Sequence, residues 1–103
     1  MNITKAEIEQ YLATDKSALA QYGATFGEHG EITNYDALMD QEIAKYNAAI
    51  EKAGTNEKAQ EDAEKAYDLF IKALENYEGT YSAYLDKLAT IQDLQNEKID
   101  KEL

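Results

Sequence analysis

An elongated all-α fold is predicted by three features of the chain. Ala63, Tyr67, Phe70, Leu74, Tyr77, Tyr81, Tyr84, Leu88 and Ile91 recur at alternating steps of four and three, the apolar seam of a coiled coil. Pro, Val and Cys are missing while Ala, Leu, Glu, Lys and Gln abound, a composition that favours helix over strand. Glycines and cap-forming side chains then divide the chain into three helical stretches.

Helix 1 opens at Thr4 with Glu7 three residues on, the pair of a capping box in which each side chain satisfies the other's backbone donor. Ile8, Leu12, Leu19 and Tyr22 share one face, and Gly23 supplies a left-handed stop, which places the helix at about 4–22. Thr33 with Asp36 repeats the cap after a corner at 23–33. Leu38, Ile43, Tyr46, Ala49, Ile50 and Ala53 follow at spacings of three and four, so helix 2 is expected at about 34–53, ending at Gly54.

Beyond a short turn at 54–56 nothing obliges the chain to stop, and helix 3 is expected at about 57–101. Gly79 costs about 1 kcal/mol relative to Ala in a helix interior, but it lies off the seam, and the seam passes it without changing phase. After Ile91 the strict register meets Gln95 and Lys98 while Leu94 and Ile99 sit one place aside, so the seam loosens. Glu61 with Lys65, Asp68 with Lys72 and Glu97 with Lys101 are outward pairs four apart, each worth about 0.2–0.5 kcal/mol.

At 1.5 Å per residue helix 3 is about 68 Å long, against about 28 and 30 Å for helices 1 and 2. The two short helices laid end to end nearly match the long one. The expected architecture is therefore an elongated antiparallel hairpin, a single helical domain or fragment. Helix 2 lies along the first half of helix 3, the glycine corner bulges at the join, and helix 1 lies along the second half. The alternatives are a compact four-helix bundle broken at Gly79, and a fold in which helix 1 returns onto helix 2.

With 10 basic and 21 acidic residues the net charge is −11, which repels phosphate backbones and anionic lipid. Neither nucleic acid nor a membrane surface is an expected partner. No apolar run approaches a membrane span, and the opening residues MNITKAEIEQ lack the basic start and apolar stretch of a signal peptide. Without cysteine the chain has no disulfide, thiolate ligand or thiol nucleophile.

Residues 22–36, YGATFGEHGEITNYD, hold three of the five glycines and have the outline of a calcium loop. Placing Gly30 at loop position 6 puts Ile32 at 8 and Asp36 at 12, as a calcium-binding helix-loop-helix requires, but positions 1, 3 and 5 fall on Thr25, Gly27 and His29. None of these is a carboxylate or side-chain amide, so no calcium site is expected. His29, the only histidine, sits between Glu28 and Glu31 as a turn residue without partners for metal or catalysis. The stretch reads instead as a packed corner: Phe26 and Ile32 face the same way across a tight turn at 27–30, with Gly30 taking the positive φ that ends it.

The carboxylates are spread along exposed helix faces, with no apolar pocket to set one of a pair apart. The seam tyrosines read as packing, large side chains opposite the small Ala44, Ala48 and Ala49 with each hydroxyl at the wet edge, since stacking grooves for bases are lined with Lys and Arg. No catalytic, cofactor-binding or metal-binding residue is expected, and the chain does not read as an enzyme.

The order Tyr22, Gly23, Phe26, Gly30, Ile32, Asn34, Tyr35, set in ALAQYGATFGEHGEITNYDALM and followed by AKYNAAIEKA and EKAYDLFIKALENYEGT, resembles helical segments of the tail tape measure proteins of long-tailed bacteriophages and prophages. The resemblance runs from about Leu19 to the LQNEKIDKEL end. It departs from the family pattern at Gly27 and His29, where an acidic residue and an asparagine are expected. It implies one piece of a much longer structural protein, whose extended helical chains fill the tail tube, set its length during assembly and leave during genome ejection. It further implies partners through the helical seams, by self-association or with other tail proteins, and a location in the host cytoplasm during assembly and then in the virion tail. The rival expectation is a small acidic helical protein-protein interaction module, which would leave part of the seam exposed.

Overall fold

Thr4 opens the first helix as expected, its hydroxyl accepting the Glu7 backbone N–H at 3.2 Å. The computed structural model describes residues 4–102, with side chains as far as residue 90, and within it α1 spans Lys5–Ala20, α2 Tyr35–Ala53 and α3 Glu57–Glu102. The described chain is all-helical, with no strand. The side chains of Ile91, Leu94, Gln95, Lys98 and Ile99, and the pair Glu97 with Lys101, lie outside the described residues.

The first two helices end on local devices, and the third opens on one. At the end of α1 the Ala24 N–H reaches the Leu19 carbonyl at 3.2 Å and the Gly23 N–H reaches the Ala20 carbonyl at 3.0 Å. These are the two bonds of a Schellman stop, with Gly23 left-handed at φ +103°. Gly54 closes α2, and Asn56 opens α3, its Oδ1 accepting the Ala59 N–H at 3.1 Å. The cap expected from Thr33 and Asp36 does not form. The N-cap of α2 is Asn34, and it makes no side-chain cap bond. Its amide is committed across the corner instead, accepting from the Thr25 N–H and donating to the Gly23 carbonyl, both at 2.9 Å.

α1 and α2 each pack on α3 and not on one another. Both run antiparallel to it. Asp15 of α1 meets Thr80, and Tyr22, two residues past its end, meets Phe70. Along α2, Tyr46 meets Tyr67, while Ala49 shares a cleft with Ala63 and Ala53 another with Ala59. α3 is one uninterrupted helix through Gly79, whose missing side chain would meet nothing within 4 Å. This is the long-helix hairpin, not the broken bundle. Its extents are 72 × 29 × 15 Å and its radius of gyration 19.1 Å, against about 13 Å for a compact domain of this length.

The core sits at the join, where Leu12, Leu19, Ala24, Leu38, Phe70, Leu74 and Tyr77 form one buried cluster drawn from all three helices and the corner. Phe70, Leu19 and Leu38 are fully enclosed. Each large apolar side chain buried there contributes about 1.5–3 kcal/mol of transfer free energy. Every seam residue from Ala63 to Leu88 is buried or half-buried.

Two expectations about the helix faces fail. Ile43 is 41% exposed, and Glu42 takes the inward place at 7%. The apolar pattern of α2 contains two overlapping stripes a residue apart, one through Ile43, Tyr46 and Ile50, the other through Leu38, Glu42, Tyr46, Ala49 and Ala53. The corner selects the second: the Gln41 amide donates to the Tyr22 carbonyl at 2.9 Å, which fixes the rotation of α2 with its next residue turned inward. The outward ion pairs also differ. Among the described residues Lys5 pairs with Glu9 at 3.6 Å and Lys58 with Asp62 at 3.8 Å, while Glu61 with Lys65 and Asp68 with Lys72 do not close. Exposed pairs of this kind contribute about 0–1 kcal/mol, too little to select a geometry.

Candidate functional site

The corner is a two-rung hairpin built by its own backbone. Gly27 N–H donates to the Glu31 carbonyl at 2.8 Å and Thr33 N–H to the Thr25 carbonyl at 2.9 Å, flanking a bridge between Phe26 and Ile32. Gly30 N–H closes the turn on Gly27 O at 3.1 Å, and Gly30 adopts φ +86°. Phe26 and Ile32 both pack against the buried cluster as the two expected pegs.

The groups at the calcium-loop positions are spent within this hairpin. The Thr25 hydroxyl faces that of Thr33, Gly27 is in the ladder, and the His29 N–H donates to the Glu31 carboxylate at 3.0 Å. Asp36 has entered the first turn of α2. Among the described residues no three His, Cys, Asp or Glu side chains gather as a metal ion would need.

What the corner does hold is a tyrosine from a distant part of the chain. Tyr77, buried on α3, donates its phenol to the Gly30 carbonyl, joining residues 47 apart in sequence. Burial chiefly, and then the neighbouring Tyr81 and Glu31, push this phenol up to about 12, while its bonding to the corner backbone at Ile32 works in the opposite direction. Phe26 leans on the Tyr77 ring at 5.7 Å, and Tyr81 stacks on the same ring at 5.5 Å and 10°. Lys16 lies over Phe26 at 5.4 Å.

The aromatic seam is therefore filled by aromatic partners. Tyr46 meets Tyr67 at 5.3 Å and Tyr22 meets Phe70 edge-on at 5.2 Å, whereas Ala44 and Ala48, expected opposite the tyrosines, are exposed. The Tyr77 hydroxyl is likewise buried, not at a wet edge. Tyrosines paired in this way pack against the facing helices and the corner.

Glu42 is the residue that sequence reasoning missed. Its side chain is 8% exposed, with Lys45 Nζ at 3.0 Å and the Gln41 amide at 3.3 Å from the same oxygen, Oε1. It lines a cleft of about 340 Å³ between α2 and α3, together with Tyr22, Tyr46, Tyr67, Ala49 and Ala63. The signal was present in its spacing, four after Leu38 and four before Tyr46, but a charged residue between apolar ones ordinarily marks a helix face as solvated.

The chain contains no helix long and apolar enough to cross a membrane among the described residues. Compared with protein-family models, curated proteins and solved structures, it has no match.

Proposed function

We propose that this chain is a structural spacer, a coiled-coil segment of a phage tail tape measure protein that acts in tail length determination and assembly. The observation that carries the reading is α3, 46 residues of uninterrupted helix with its seam covered by α1 and α2 along the described side chains. A length-setting element needs a stiff axis and no reacting groups, and the folded chain offers 72 Å of such an axis. The phage context rests on the sequence resemblance around the corner.

The rival, a binding module with a groove for a partner helix, has less behind it, because among the described residues the exposed large apolar side chains of α3 do not form a strip. Leu69, 62% exposed, lies among Lys65, Asp68 and Lys72, and Leu85 is 16 residues further on, about 24 Å along the helix.

The test is an in-frame deletion of the whole segment from the gene that carries it, with tail lengths measured by electron microscopy. Tails shorter by about 155 Å are expected if the chain lies in the tube as one continuous helix, from 1.5 Å per residue. If the antiparallel hairpin persists there, its two ends lie near one end of the rod, and the decrement falls to the overhang of α3 past α1, about 18 Å. Tails of unchanged length would remove the reading.

A further inference from the structure

Glu42 places a carboxylate where an apolar seam residue ordinarily sits, and a buried anion must be neutralised. The neutralising group comes from outside: Lys45 is 61% exposed along its side chain and reaches in to Oε1 from solvent. Oε2 makes no hydrogen bond among the described residues and is open to solvent. Tyr22, Tyr46 and Tyr67 line the same cleft as Ala49 and Ala63, and among the described residues the cation-over-ring contact is made elsewhere, by Lys16 on Phe26.

This lining is selective. A metal ion would exchange its hydration shell for a single carboxylate. An ordinary ammonium carries three N–H donors, and the cleft offers one strong acceptor for them. A methylated ammonium spreads its charge over methyl groups, which are content against alanine methyls and attracted to tyrosine faces, while a carboxylate supplies the counter-charge. We propose that the α2–α3 cleft binds a methylated ammonium group of the choline or trimethyl-lysine kind, with Glu42 as counter-ion and Tyr22, Tyr46 and Tyr67 as walls. Lys45 is the internal occupant that the ligand displaces. The volume, about 340 Å³, is that of a small-ligand site, and a chain of net charge −11 concentrates cations around it. The cleft borders the join, since Tyr22 and Tyr67 also lie against Phe70. The site stands independently of the tape-measure reading.

The experiment titrates choline chloride, and separately Nε-trimethyl-lysine, into the whole chain, following backbone amides and tyrosine ring protons by two-dimensional NMR. Sodium chloride at matched ionic strength is the control. The expected result is a saturable shift confined to residues around Glu42, Tyr46 and Tyr67, with choline and trimethyl-lysine alike. Lys45→Ala is expected to tighten binding about tenfold, because an internal occupant that fills the site about nine-tenths of the time weakens an outside ligand by that factor. Glu42→Gln should abolish saturation. Lys45 is largely exposed, so its variant folds and tests the site whether or not Glu42→Gln does. Shifts reproduced by sodium, shifts that never saturate, or unchanged affinity in Lys45→Ala would each overturn the proposal.

Discussion

At the corner, α3 presents Phe70, Leu74 and Tyr77 to Leu19, Ala24 and Leu38, and all six are buried. Two turns nearer Gly54 it presents Ala59 and Ala63 to Ala49 and Ala53, and of these only Ala63 is buried. The seam has the same period in both places, but its contents differ. Around the corner, side chains from three helices and a loop converge and close over one another. Toward Gly54 only two helices meet, small residues leave a cleft of about 460 Å³, and a carboxylate occupies one inward place. Periodicity brings two helices into contact; the stability of the contact depends on how many elements surround it and how large their side chains are.

The sharpest test of that contrast is truncation. Phe70→Ala should cost about 3–5 kcal/mol and Leu19→Ala about 2–5, since both side chains are fully enclosed. Ile50→Ala, half-buried in α2, should cost about 1. Urea melts measure all three, and equal losses at Phe70 and Ile50 would dissolve the distinction between the two regions.

A second test uses alkali. With the folded Tyr77 phenol at about 12 against the ordinary 10, both folded and unfolded chains are protonated below pH 10 and the contribution is constant there. Between pH 10 and 12 the unfolded chain loses the proton and the folded chain keeps it. Stability should therefore fall by up to about 2–3 kcal/mol across that window. Tyr77→Phe should flatten this decline, and at neutral pH should cost about 1 kcal/mol for the lost bond to Gly30. A decline of the same depth in the variant would move its cause away from the corner.

The glycines should give opposite signs. Gly30→Ala puts a side chain at φ +86° with Leu12 Cδ2 at 3.4 Å, and should destabilise by about 1–2 kcal/mol. Gly79→Ala, in an exposed helix interior with open space around it, should stabilise by about 1 kcal/mol. Thermal melts read both, and loss of stability at Gly79 would mean that α3 needs its flexibility there. The smallest effect belongs to the hairpin tip. Glu28→Ala and His29→Ala should each stay within about 0.5 kcal/mol, because both side chains are exposed and only the His29 backbone is engaged.

The helices, their stops and the continuity of α3 were legible in the linear sequence because each depends on neighbours a few residues away. Thr4 caps locally, Gly23 turns left-handed, and the seam either keeps phase across Gly79 or loses it. Even the corner could be read, since the Phe26–Ile32 pairing spans a tight turn. Tertiary structure decided which of two overlapping stripes on α2 faces inward, and with it the burial of Glu42 in place of Ile43. It also drew the Asn34 amide away from capping and brought the Tyr77 phenol to Gly30. A repeat of four and three specifies a helix face to within about one residue, or 100° of rotation, so the final choice fell to contacts between residues far apart in sequence, here Gln41 on the Tyr22 carbonyl.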